Sequence, residues 1–145
     1  MGSPSQVVNA FLAEWETDSD RMKAAFRRFF TPQTVYENVG ITRTVGAEAA
    51  IPLIDHYEQT SGVVAWKTEM LAMAEAGDKV LCERIDHLLG ADGAERAFVR
   101  VMGIFEVEGD KIVAWRDYFD TAPWVSGATD ERSAAIIKEN PSVST

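Results

Sequence analysis

The spacing of apolar side chains divides the chain into a helical first half and a stranded second half. Over residues 5–17, Val7, Val8, Phe11, Leu12 and Trp15 recur at three- and four-residue intervals, which predicts a helix capped by Ser3 or Ser5. Asp18-Ser19-Asp20 breaks the pattern and is placed to cap a second helix over 21–30, where Met22, Ala25, Phe26, Phe29 and Phe30 share a face and Thr31-Pro32 stops the run. Residues 35–39 read as a short strand and 40–46 as a loop. A third helical pattern covers 47–60, with Ala50, Ile51, Leu53, Ile54 and Tyr57 on one side and Ser61-Gly62 at its end. Strand patterns follow over 64–76, 79–89, 95–108 and 111–118; Gly77-Asp78 and Gly109-Asp110 are tight hairpin signals and 90–94 is a longer turn.

Helices gathered before strands predict an α+β fold. The expectation is a curved, mixed, mainly antiparallel sheet wrapped around the N-terminal helices, forming a conical pocket whose interior suits an apolar ligand. Residues 1–145 read as one domain, with 1–4 a disordered or cloning-derived start, short helical turns after 121 and a frayed tail at 141–145.

Alternation along the strands sorts the polar residues by face. On 79–89, Val80, Cys82, Arg84, Asp86 and Leu88 point one way, so Arg84 and Asp86 form either a pocket pair or an exposed ion pair. On the last strand Val113, Trp115, Asp117 and Phe119 share a face on which Asp117 is the one charge. A lone carboxylate among large apolar groups needs a partner, and Arg84 is a candidate from a nearby strand; otherwise Asp117 sits at a frayed strand end in water. Tyr36 and Asn38 share a face of their short strand, either as neutral groups able to hold a water or as a core tyrosine and a turn asparagine.

Composition narrows the classes of function. Hydrophobic residues make up 46% and charged residues 26%, an ordinary globular balance. No run approaches the roughly 20 apolar residues of a membrane span, and Met1-Gly2-Ser3-Pro4 lacks signal-peptide character. The net charge is −9 and the 14 basic residues are scattered, which argues against nucleic acid and anionic membranes as partners. The one cysteine, Cys82, allows no internal disulfide and no cysteine zinc site, which suits a reducing cytoplasm. His56 and His87 fall in different predicted elements, and no metal-ligand spacing, phosphate loop or nucleophile elbow occurs.

Taken together, Tyr36-Glu37-Asn38, Cys82-Glu83-Arg84-Ile85-Asp86 and Trp115-Arg116-Asp117-Tyr118-Phe119-Asp120 resemble the limonene epoxide hydrolase family, whose pattern is Tyr-x-Asn, Glu-Arg-x-Asp and Trp-Arg-Asp-Tyr-Phe-Asp on successive strands. Met102-Gly103-Ile104-Phe105 and Glu108-Gly109-Asp110-Lys111-Ile112 fit as well. The likeness covers nearly the whole chain and is strongest over 79–120. Residues 39–45 lack the family's proline-rich run, so the pocket rim is expected to differ. The resemblance implies a nuclear-transport-factor-2-like fold, a homodimer, no cofactor, and hydrolysis of a small apolar epoxide, cyclic or terpene-like, to a diol without a covalent intermediate. It assigns Asp117 as general base on a water held with Tyr36 and Asn38, Asp86 as general acid, and Arg84 as the bridge between the carboxyl groups. Leu88, Val99, Val101, Trp124, Leu12 and Trp15 are the expected apolar walls, with plain core packing as the other reading of each. Other readings on the same fold are a ketosteroid-isomerase-like or polyketide-cyclase-like enzyme, or a non-catalytic binding module.

Overall fold

The structure, a computed structural model, describes residues 2–16 and 18–121. Trp124, the helical turns expected after 121 and the tail at 141–145 lie outside the described residues.

Helix α1 (Pro4–Trp15) starts at a reciprocal cap. Ser3 Oγ accepts from the Gln6 backbone N–H while Gln6 Oε1 accepts from the Ser3 N–H, and Pro4 occupies the first turn. Helix α2 (Ser19–Phe29) is capped by Asp18, whose carboxylate accepts from the Arg21 N–H at 2.8 Å. Strands β1 (Phe30–Asn38) and β2 (Thr42–Val45) precede α3 (Ala47–Ser61); β3 (Ala65–Ala76), β4 (Lys79–Leu89), β5 (Glu95–Glu108) and β6 (Lys111–Tyr118) complete the chain. The sheet order is β2-β1-β6-β5-β4-β3, antiparallel throughout except for the parallel β1–β6 pair.

Three expectations need correction. The first strand begins at Phe30, directly from α2, not at 35. Pro32 is tolerated because the β1–β6 register is broken between Phe30 and Val35, where Thr34 Oγ1 takes the Thr31 N–H and donates to the Ile112 carbonyl at 2.5 Å. Residues 40–46 are not all loop: β2 folds back on β1 around Gly40 (φ 87°) and pairs Thr42 with Asn38 through to Val45 with Val35. Finally, β6 carries a bulge. Glu106 pairs with Ala114 but Val107 with Ile112, so Val113 is left without a partner and Ile112, fully buried, takes the inner face expected for Val113.

The helices cover the inner face of the sheet. Phe11 packs against Trp15, Phe26, Phe29 and Trp115 at centroid separations of 5.3–6.0 Å, all near edge-on. At the β3 edge, Glu75 accepts from the Ser5 N–H and Glu16 accepts from the Thr68 N–H, each at 2.9 Å, so α1 is fastened to the outermost strand at both ends. Among the described residues no helix is long and apolar enough to cross a membrane.

Candidate active site

Five positions of the inner face lie in one row across the sheet. Thr42 pairs with Asn38, Asn38 with Asp117, Asp117 with Gly103, and Gly103 with Cys82, so β2, β1, β6, β5 and β4 each contribute one position. Register partners point to the same face, which is why residues far apart in sequence meet here. The adjacent row is Tyr36, Trp115 and Phe105, three rings stacked with centroids 4.4 Å and 4.9 Å apart.

Arg84 stands two residues beyond Cys82 on β4, and its side chain is 1% exposed. The guanidinium grips Asp86 with two parallel bonds, Nε–Oδ1 at 2.9 Å and Nη2–Oδ2 at 3.1 Å. Nη2 also donates to Asp117 Oδ2 at 2.5 Å, and Nη1 lies 3.4 Å from Cys82 Sγ. To reach β6 the guanidinium crosses β5, and it crosses at Gly103. A β-carbon there would fall 2.7 Å from Asp117 Oδ1 and closer still to Arg84 Nη1. Glycine at this position is the condition for the pairing, a role visible beforehand only as a glycine inside a strand.

Asp117 is 4% exposed. Its other oxygen, Oδ1, accepts from the Trp115 indole N–H at 2.8 Å. Burial pushes its carboxyl above the ordinary aspartate value, and this outweighs the opposing pull of Arg84 and of the two hydrogen bonds; the nearby Asp86 charge adds to the rise. Taken alone, this shift stabilises the fold below the ordinary aspartate value and withdraws that stabilisation as pH rises through the raised one. Burial alone would lower the Arg84 value, but the charges of Asp117 and Asp86 more than offset it and the guanidinium stays protonated. Asp86 is less enclosed, with a side chain 17% exposed. Burial holds Tyr36 well above the usual phenol range, so its hydroxyl keeps its hydrogen. Asn38 Nδ2 donates to Tyr36 Oη at 3.3 Å and to Thr42 Oγ1 at 3.0 Å.

These groups meet at an open cavity whose empty space, solvent at its mouth included, is about 630 Å³. Tyr36, Asn38, Asp86 and Asp117 line it, as do the expected Trp15, Leu88, Val99 and Val101. Arg84 sits behind the wall. Leu12 is not among the lining residues; it is packed into the core cluster from α1. Ile41, Leu53, Ile54, Tyr57, Trp66 and Phe119 were not anticipated as walls. The first lies in the segment read as loop, and the helical ones carry the same periodic signal as core residues. Among the described residues no cluster of His, Cys, Asp and Glu could hold a metal.

Comparison with known proteins identifies the family. The sequence model of the limonene-1,2-epoxide hydrolase catalytic domain matches residues 2–129. Epoxide hydrolase EphG of Mycobacterium tuberculosis (strain ATCC 25618 / H37Rv) is 34% identical over 131 residues, 90% of this chain and 82% of that protein. The solved structure of an M. tuberculosis LEH-like epoxide hydrolase is 29% identical, covers 94% of both chains and superposes with a TM-score of 0.67. An NTF2-like protein of unknown function from Burkholderia pseudomallei shares the fold at 15% identity, with 87% of this chain and 97% of that one covered and a TM-score of 0.69.

Two consequences of the geometry are measurable. Gly103→Ala should destabilise the protein by about 1–3 kcal/mol, because both groups that the methyl meets are fixed in the network; an unchanged urea midpoint would show that the passage has slack. Trp115→Phe removes a hydrogen bond that favours the charged form of Asp117, so its titration midpoint should move upward. Carboxyl ¹³C NMR reads this directly, and a downward or absent movement rejects the bond's role.

Proposed function

The chain belongs to the limonene-1,2-epoxide hydrolase family and is an epoxide hydrolase, and from that premise we propose that it adds water in one step to a small apolar epoxide, cyclic or terpene-like, giving a vicinal diol. The observation that carries this reading is a buried guanidinium shared by two unequally enclosed carboxyl groups at the polar end of an apolar cavity.

Epoxide opening needs a proton removed from water while another is delivered to the ring oxygen, so one carboxyl must be ionised and its neighbour protonated. Two carboxyl groups around one guanidinium in a water-poor site meet that need: with one proton retained, the three groups carry no net charge. Asp117 is the proposed base. Its raised pKa makes it a stronger proton acceptor than a surface aspartate. The water would sit among Asp117, Asn38 and Tyr36, with the Tyr36 hydroxyl donating to its oxygen. Its oxygen forms the new bond to carbon, its proton passes to Asp117, the carbon–oxygen bond of the ring breaks, and Asp86 protonates the departing oxygen. Before the next cycle a proton must return from Asp117 to Asp86, whose partial exposure lets it exchange with solvent. Arg84 holds both carboxyl groups through the cycle. Its planar fork suits a two-toothed grip on Asp86 with one N–H left for Asp117.

The apolar walls, Trp15, Leu53, Ile54, Trp66, Leu88 and Val99, support an apolar substrate, since they offer little hydrogen bonding away from the reacting end. We also propose a homodimer and a cytoplasmic location. Half-exposed Leu71, Met102 and Tyr118 on the sheet support the first, and a buried free thiol at Cys82 is consistent with the second.

Asp117→Asn should fold, as circular dichroism will report, and lose at least about 10²–10⁴-fold in diol formation, the typical contribution of a general base. Near-normal turnover on limonene-1,2-epoxide, cyclohexene oxide or styrene oxide would reject the assignment. In H₂¹⁸O under single-turnover conditions, label should enter the diol in the first cycle. Label found first in the protein would mean a covalent ester intermediate.

A further inference from the structure

We infer that Thr42, on the short edge strand β2, is a positioning residue that holds the Asn38 amide so that its carbonyl oxygen, and not its NH2 group, faces the attacking water. The inference rests on the hydrolytic reading above.

Thr42 lies in the same cross-strand row as Asn38 and Asp117, so the three share the inner face. A primary amide has two N–H donors and one carbonyl acceptor. Both donors of Asn38 are engaged within the wall, one by Thr42 Oγ1 at 3.0 Å and one by Tyr36 Oη at 3.3 Å. The carbonyl oxygen is the polar atom left for the cavity that Asn38 lines.

This orientation decides what the water can do. A water attacking through one lone pair gives one hydrogen to the base and needs an acceptor for the other. The Asn38 carbonyl supplies it. An amide turned the other way would donate instead, either to the lone pair needed for attack or to Asp117, its register neighbour on β6. A carboxylate is a better acceptor than a neutral hydroxyl. The NH2 group therefore stays out of the cavity only because another acceptor is built into the wall, and Thr42 Oγ1 makes the shorter of its two bonds. The hairpin thus has two duties: Ile41 forms cavity wall and the next residue fixes the amide.

The test compares Thr42→Val, Thr42→Ser and Asp117→Asn with wild type, on whichever of limonene-1,2-epoxide, cyclohexene oxide and styrene oxide the wild-type chain opens fastest. Valine matches threonine in shape and suits a strand, so the hairpin is preserved. Thr42→Val should lower kcat about tenfold, the scale of one lost hydrogen bond, and leave KM within about twofold. Its acid limb in the kcat pH profile should move to lower pH, because an amide N–H turned onto Asp117 favours the carboxylate. The other groups that face Asp117 are Cys82, Arg84 and Asp86 from β4, Tyr36 from β1 and Trp115 on β6; all are unchanged in both threonine variants. Thr42→Ser keeps the hydroxyl and should restore both kcat and the limb. A Thr42→Val enzyme with wild-type kcat and an unmoved limb overturns the inference, and so does a serine variant as impaired as the valine one. Inactive Asp117→Asn beside normal Thr42→Val condemns the threonine assignment alone. Active Asp117→Asn, or a wild type that opens none of the three probes, removes the hydrolytic reading and this inference with it.

Discussion

A guanidinium that is 1% exposed has given up nearly all of its water, and only close counter-charges can hold it inside a protein. Arg84 has two, and the surrounding structure is shaped by the need to bring both within reach. Asp86 is easy: it stands two residues away on the same strand and face, so alternation alone delivers it. Asp117 is two strands away. For that contact β5 must lie between β4 and β6 in a register that sets Gly103 opposite both Cys82 and Asp117, and position 103 must carry no side chain. The bulge at Val113 belongs to the same requirement. It keeps Ile112 in the core while leaving Trp115 and Asp117 facing inward. One ion network thus constrains the register of three strands.

The two carboxyl groups are alike in chemistry and unlike in setting. Asp117 is 4% exposed and receives one N–H on each oxygen, from Arg84 and from Trp115. Asp86 receives two bonds from Arg84 and keeps an edge toward the cavity and solvent. An acid and a base made from the same residue type must be told apart by their surroundings, and these two carboxyl groups differ in enclosure. Trp115 ties the arrangement to the core. It is stacked between Tyr36 and Phe105, so the groups proposed to hold the water and the base rest on one rigid aromatic block.

What the sequence allowed one to read followed period and chemistry. Alternation placed Arg84, Asp86 and Asp117 on their faces, and hairpin glycines bounded the four long strands. Two of the failures have a physical origin in local breaks of period. The bulge at Val113 reverses the alternation on its N-terminal side, which no residue type there announces. Strand β2 has four residues, half exposed at a sheet edge, so it carries no run of apolar positions. Leu12 and Trp15 have the same helical signal, yet Trp15 reaches the cavity and Leu12 stops in the core; periodicity names the buried face of a helix and not which of its residues meets a cavity. Gly103 was legible as a glycine in a strand but not as the passage for an arginine, since that role exists only once three strands are aligned.

The fold alone leaves chemistry open. One fold of this kind hosts many unrelated activities. What separates this chain from a generic cone is the row from Thr42 to Cys82 together with Arg84 behind it. A single acid–base group with an oxyanion site has no use for a buried cation shared by two carboxyl groups. Binding an apolar ligand has less use still, because the network puts charge where apolar contact would serve better. The two proton movements proposed for this site give it a use. The costly part of the structure is therefore the part on which the proposed reading rests.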